Sequence, residues 1–285
     1  MKTVLVTGAS GLLGGHVLKY LKELDVHIIS SIMPVEQGIY VPKYGEDVIL
    51  NEDIFSGNIS HFDVVINCAF ARSNDAKQLA EAFDFTTKLI MGLKKAEVGG
   101  VINISSQGVY KRLPVGQLST ESSPIEPIDL YSMSKYAVEK MFSVSGISHV
   151  ANVRLASLNM KQRFLFAFVK SAKEEGKIFL NSPRVYASIL DVEDAAKALT
   201  MLAMNPSSTW KPVYNLSIGK QYSLKEYAKC VQKVGNKLGY QVEVVVNDSG
   251  NESAAGTDIT LLCKDTGWMP KVTNEMMVEE LFSYS

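Results

Sequence analysis

The sequence predicts an α/β fold: a parallel sheet doubly wound by helices, with a smaller C-terminal α/β lobe. Three observations predict it. The chain opens on a short apolar run closed by glycine, "TVLVTG", which reads as a strand buried on both faces. Strand-like runs then alternate with helical stretches of ten or more residues, as in a parallel sheet covered on both sides. After residue 156 the alternation loosens, which sets a second, smaller part apart from the first.

The elements follow in order. "LLGGHVLKYLKEL" spaces Leu13, Val17, Leu18 and Leu21 along one helical face. "VHIISSI" and "DVVINCAF" read as strands, and "DAKQLAEAFDFTTKLIMGLKKAEV" as a long helix. The strand "GVINISS", the helix "LYSMSKYAVEKMFSVS" and the strand "HVANVRLAS" come next. Beyond them, "RFLFAFVKSAKEEGK", "DVEDAAKALTMLAM" and "SLKEYAKCVQKVGNKLG" are helical, while "VYASIL", "PVYNLSI" and "QVEVVVN" are strand-like. The small, polar "NDSGNESAAGTD" reads as a loop. There is no internal repeat, low-complexity tract or Pro-rich linker.

Composition excludes several classes of function. The 285 residues, 46% of them hydrophobic, are enough for a sizeable core. A net charge of -1 gives no electrostatic reason to expect nucleic acid or an anionic membrane as partner. Cys68, Cys230 and Cys263 are odd in number and far apart, unlike a disulfide framework or a zinc site. His16, His27, His61 and His149 are scattered, so no metal is expected. The opening "MKTVLVTGAS" is strand-like rather than a signal peptide, and no apolar run reaches the roughly 18 residues of a spanning helix. The expectation is a soluble, cytoplasmic protein.

"TGASGLLG" places Gly8, Gly11 and Gly14 between the first strand and the first helix. One glycine permits the tight turn, one lets backbone approach a pyrophosphate, and one lets the helix pack closely on the strand. The helix start then presents free amides and a positive dipole end to an anion, with Ser10 and the amides of Leu12 and Leu13 as natural contacts. This context points to a Rossmann-like dinucleotide-binding domain over residues 1–155, its sheet completed by 186–218. Residues 156–185 and 219–285 would form a substrate-binding lobe.

"LYSMSK" sets Tyr131 one helical turn before Lys135, on the same helix face. Spacing alone does not separate a proton-transfer pair from two residues that happen to line up. The G-x-x-G-x-x-G loop, "VINISSQGVY", "LYSMSK", "ILDVEDAAKAL" and "DTGWMPKV" occur in an order that resembles the extended short-chain dehydrogenase/reductase family, the sugar-nucleotide epimerases, dehydratases and reductases. The resemblance covers essentially the whole chain.

The resemblance implies an NAD(P)-dependent enzyme. Tyr131 would be the acid/base and Lys135 would lower its pKa and bond the nicotinamide ribose, since a free tyrosine titrates near 10. Ser106 rather than Ser105 would orient the substrate oxygen, beside Gln107. Family dehydratases carry an Asp-Glu pair after that position; Gln107 and Gly108 have no carboxyl, so dehydration is disfavoured. Epimerisation and reduction stay unseparated.

An acid at the end of the second strand selects NAD and an arginine selects NADP. Here that strand is read as ending in Ser30 and Ser31, which decides neither; the lack of a nearby arginine leans to NAD, with NADP open. Asp53 and Ile54 would lie by the adenine, and Cys68 and Ala69 along the cofactor. The substrate implied is a sugar, expected to be nucleotide-linked. The family's C-terminal phosphate-binding arginine is missing, and Arg163 and Arg184 are the candidate replacements. The missing arginine also keeps open an NADP-dependent reductase of a small non-nucleotide carbonyl, and a non-catalytic dinucleotide sensor is a third reading. Family habit implies a homodimer. Asp191 and Asp194 read as helix-start charges and Trp268 as part of a packed turn.

Overall fold

A computed structural model describes residues 1–32, 34–35, 38–39, 47–159, 164–248, 250 and 252–284. The chain forms β1 (Lys2–Thr7), α1 (Leu12–Leu21), β2 (Val26–Ile32), β3 (Asp47–Leu50), α2 (Asn51–Ser56), β4 (Val64–Asn67), α3 (Ala76–Leu93), β5 (Val101–Ser106), α4 (Leu130–Ser143) and β6 (Val150–Leu155). Then come α5 (Phe164–Glu175), β7 (Lys177–Leu180), β8 (Arg184–Ala187), α6 (Val192–Met204), β9 (Val213–Leu216), α7 (Leu224–Lys237), β10 (Glu243–Val246), β11 (Glu252–Ala254), α8 (Thr260–Thr266) and α9 (Asn274–Ser283).

Seven strands form one parallel sheet in the order β9-β6-β5-β4-β1-β2-β3. The winding reverses between β1 and β4, and in such sheets the crevice at that reversal, beyond the strand C-termini, is the ligand site. Val4, Val6, Val17, Leu18, Leu21 and Leu199 are buried on the α1 and α6 face; Leu5, Val65, Leu89, Leu93, Val138 and Phe142 are buried on the α2, α3 and α4 face. The strands therefore read as continuous apolar runs, because both faces are covered.

One polar row crosses this core. The Thr7 hydroxyl donates to Asn67 at 2.7 Å, Asn67 to Asn103 at 3.0 Å, and Asn103 to Asn152 at 2.8 Å, one residue per strand in register. Each buried amide satisfies its neighbour, so the row is tolerated in the sheet.

The C-terminal lobe has its own core, in which Leu165, Val169, Tyr227, Val231, Met277 and Leu281 pack α5, α7 and α9 together. The structure corrects three details here. "VYASIL" is not one strand: β8 pairs with Tyr222–Ser223 and β11, while Ile189–Leu190 pairs with Ser157–Leu158. Within 186–218, only β9 adds a strand to the main sheet. The predicted loop "NDSGNESAAGTD" contains β11. Asp191 does cap α6, accepting from Glu193 N at 2.8 Å, but Asp194 is buried and accepts from Lys271 N and Val272 N, tying down the turn that carries buried Trp268.

Candidate active site

A cleft of 690 Å³ lies beyond the C-terminal ends of β1, β4 and β5 and reaches the C-terminal lobe. Its first wall is backbone. Gly8 sits at φ +65°, the left-handed region that favours glycine. A Cβ on Gly8 would come within 2.8 Å of Ala69 N, and one on Gly14 within 2.3 Å of the Gly8 carbonyl oxygen. The loop, α1 and the residue after β4 can close together only without those side chains. Gly8, Gly11, Leu12, Leu13 and Gly14 all line the cleft. No side chain caps α1 and no acidic residue occupies its first turn, so its positive end opens on the cleft. An uncapped helix start over a cradle that a Cβ would fill fits a dinucleotide pyrophosphate.

Other cofactor candidates lie elsewhere. Ser10 is exposed on the loop, and Ala69 serves through its backbone against Gly8. β2 spans Val26–Ile32, the stretch read as this strand, and β3 pairs beside its end; Ser30 is buried and its hydroxyl has no partner among the described residues. The Asp53 carboxylate accepts from Leu50 N at 3.0 Å, closing the start of α2, and Ile54 is buried under α3. None of these lines the cleft. Cys68 does, and burial pushes its thiol up to about 12, so it is protonated and unreactive near neutrality.

The second wall is α4 and the end of β5. Asp129 caps α4 through Ser132 N at 2.7 Å, and Asn74 accepts from Tyr131 N at 2.9 Å, pinning the helix start to the loop after β4. Tyr131 and Lys135 both line the cleft from this helix. Lys135 is buried, donates to the Ile104 carbonyl and lies 4.2 Å from the centre of the Phe70 ring. The same ring stands edge-on to Tyr131 at 6.3 Å. Burial pushes the Lys135 ammonium down to about 7, with Cys68 and Glu139 acting in the opposite direction. Ser106 lines the cleft and its Oγ accepts from Gly108 N at 3.1 Å, which leaves its own O–H to donate.

A buried ionic group stands behind these residues. Glu139, one turn beyond Lys135, accepts from Arg154 Nε at 2.9 Å and Nη2 at 2.7 Å, and from the Ser105 hydroxyl at 2.5 Å. Both serines line the cleft, but the Ser105 hydroxyl is spent on Glu139, whereas the Ser106 hydroxyl is left to donate. Arg154 lies over the Tyr110 ring at 4.7 Å, and Tyr110 bonds Asn215 at 2.7 Å. The group joins α4, β5, β6 and β9. Sequence reasoning missed Glu139 and Phe70. The first had a signal, since 131, 135 and 139 share one helix face; Phe70 had none beyond following "NCA".

The third wall comes from the C-terminal lobe: Val185, Tyr186 and Ala187 of β8, Ser253 of β11, and Ala255. Gln107 also lines the cleft, and its buried Oε1 has no partner. Arg184 is half-exposed and turned to Asp248 at 3.4 Å and Glu252 at 4.0 Å, off the lining. Arg163 lies outside the described residues. Among the described residues no cluster of His, Cys, Asp and Glu could hold a metal ion, and no helix is long and apolar enough to cross a membrane.

Known proteins share this architecture. A Methanocaldococcus jannaschii protein provisionally named UDP-glucose 4-epimerase is 24% identical, over 94% of this chain and 93% of that one. The structure of UDP-N-acetylglucosamine 4-epimerase from Bacillus cereus superposes with a TM-score of 0.78 at 18% identity, over 99% of this chain and 96% of that one. The Bordetella bronchiseptica enzyme WbmH, solved in complex with NAD+, gives 0.75 at 19% identity, over 100% and 98%. At these identities the two structures speak for the fold. A model of the NAD dependent epimerase/dehydratase family matches residues 4–217, most of the chain. With the glycine cradle and the seven-stranded parallel sheet in place, the protein belongs to the NAD-dependent epimerase/dehydratase family and is an NAD-dependent enzyme of the extended short-chain dehydrogenase/reductase type.

Proposed function

We propose that the protein epimerises a nucleotide-linked sugar by reversible hydride transfer at a carbinol carbon. The observation that carries this is the opening of Tyr131 and Lys135, one helical turn apart, onto the same cleft as the uncapped glycine loop. Names of similar proteins support the substrate class, since two of those described act on UDP-sugars by name.

Gly8, Gly11, Leu12, Leu13 and Gly14 would hold the pyrophosphate of NAD, and Lys135 the nicotinamide end. Bound there, NAD supplies a hydride acceptor and donor. The Tyr131 hydroxyl exchanges a proton with the substrate oxygen, and Ser106 donates a hydrogen bond to the same oxygen and fixes its direction. Lys135 sets the readiness of Tyr131: its ammonium favours the phenolate. Burial holds the Lys135 pKa well below its ordinary value, down to about 7. Phe70 packs against both side chains and limits water beside them. Gln107 and Gly108 supply no carboxyl group, so elimination of water lacks its acid and base.

The test is native purification followed by release and identification of bound dinucleotide, then UDP-glucose and UDP-N-acetylglucosamine as substrates. Retained NAD and turnover abolished by Tyr131→Phe are expected. Retained NAD with no turnover of any nucleotide sugar would sink the epimerase reading. A second reading, reduction of a small carbonyl without a nucleotide, is favoured by the third wall, where Val185–Ala187, Ser253 and Ala255 carry no cation. Weak, exchangeable NADPH and turnover of simple carbonyls would establish it.

A further inference from the structure

The substrate proposed above carries a diphosphate, and such a group needs a cation within reach. Among the described residues lining the cleft, the arginines and lysines are Arg72, Arg112 and Lys135. Lys135 is committed to the Ile104 carbonyl and the Phe70 ring. Arg72 follows β4, beside Ser73 and Asn74, in the loop pinned to the start of α4. Arg112 stands on the other side. It follows the short helical turn Gln107–Val109 at the end of β5, and it is exposed. It also lines a small recess that adjoins the cleft, walled by Gln107, Tyr110, Lys111, Gln117, Gln221 and the segment Ala254–Thr257; Lys111 is paired with Glu126 at 3.3 Å. That segment is made of small side chains. A Cβ on Gly256 would meet Gln221 Cγ at 2.6 Å, so the wall is closely packed; it contributes backbone, methyl groups and the buried Thr257 hydroxyl but no charge.

A second observation points to a ligand at the same place. Gln107 lines both the cleft and the recess; the residue is half-buried, and its buried Oε1 has no hydrogen-bond partner among the described residues. An unpaired buried acceptor costs about 1–3 kcal/mol unless a donor reaches it. A ligand that offers a hydroxyl next to an anion would answer both side chains, and a sugar diphosphate has that chemistry.

We propose that Arg112 is the specificity-determining residue that binds the substrate diphosphate, with Gln107 Oε1 accepting from a neighbouring sugar hydroxyl. The inference rests on the nucleotide-sugar reading and places the phosphate clamp on the loop after β5. Of the two replacements suggested by sequence, Arg184 is held by Asp248 and Glu252, and Arg163 lies outside the described residues. The planar guanidinium fork can take two phosphate oxygens at once, which an ammonium cannot.

The test uses the NAD-loaded enzyme, with UDP as binding probe by calorimetry and UDP-glucose as substrate. Arg112→Gln is expected to raise the Kd for UDP and the KM for UDP-glucose at least tenfold, with kcat within threefold and retained NAD unchanged. Arg112→Lys should recover part of the loss. Because Arg112 is exposed, neither variant should affect folding, and thermal melts check this. UDP affinity and KM within twofold of wild type in Arg112→Gln, with the wild type turning over UDP-glucose, would overturn the inference and leave the proposed function standing. A wild type that neither binds UDP nor turns over a UDP-sugar would overturn the proposed function itself, and the diphosphate clamp with it.

Discussion

On the glycine-loop side of the cleft the wall is main chain: Gly8, Gly11 and Gly14 turn the strand into α1 so tightly that Ala69 and the Gly8 carbonyl lie where side chains would be. On the lobe side the wall is side chain: Tyr186, Ser253, Ala255, Gln107 and an exposed arginine. The first wall cannot change without moving backbone, which suits a cofactor that is the same in every turnover. The second can change residue by residue without disturbing the sheet, which suits a substrate that differs between enzymes of one fold. Tyr131 and Lys135 stand between the walls, held by Glu139 and Arg154 from behind.

If that division is right, damage to the middle should be the most costly. Tyr131→Phe removes one hydroxyl and should lower kcat about 10²–10⁴-fold while leaving retained NAD unchanged; loss of NAD together with activity would blur the line between the walls. Arg154→Ala leaves Glu139 buried without its partner and should cost about 3–5 kcal/mol in urea unfolding. The double variant Glu139→Gln, Arg154→Met should recover much of that, since no charge is then stranded. A single-variant loss below about 1 kcal/mol would mean the pair is hydrated and holds nothing in place.

The same division explains what could be read without coordinates. The glycine loop, the Tyr131–Lys135 spacing and the strand–helix alternation are local: each is a pattern within a dozen residues, and the main sheet follows from them. The surroundings of Ser30 are not local, since β3, some 16 residues beyond Ser31, pairs beside the end of β2. The place of Ile54 under α3 is likewise a tertiary fact. Phe70 meets Lys135 only because β4 and α4 converge, and Arg112 faces β8 and β11 only because the lobe folds back over β5. β8 and β11 themselves are four and three residues long, too short to separate from loop by alternation.

Lys135 offers a finer test of the middle. Its folded pKa is about 7, below the ordinary 10.5, so the unfolded chain holds more protons between those values. Stability should therefore be lowest below pH 7 and rise as pH climbs from about 7 toward 10.5. Lys135→Met should abolish activity yet stabilise the fold, on the order of 3 kcal/mol at pH 6 and far less at pH 10. Parallel melting curves of wild type and variant at the two pH values measure it. An equal gain at both would mean that the lysine is not buried charged, and that Phe70 and the Ile104 carbonyl do not enclose it as the geometry indicates.

The smallest effect is expected at Arg184, and it bears most directly on the lobe-side wall. Its partners Asp248 and Glu252 are exposed, and an ion pair of that kind contributes about 0–1 kcal/mol. Arg184→Ala should shift unfolding by no more than that and leave KM for UDP-glucose within twofold, while Arg112→Gln moves it tenfold or more. The two arginines have the same chemistry and differ only in position. One lies early in the connection from β5 to α4 and lines the cleft; the other begins β8 and turns outward to two carboxylates. A large KM effect at Arg184 would mean that substrate draws it away from Asp248 and Glu252, so that the lobe wall rearranges on binding and is not preformed.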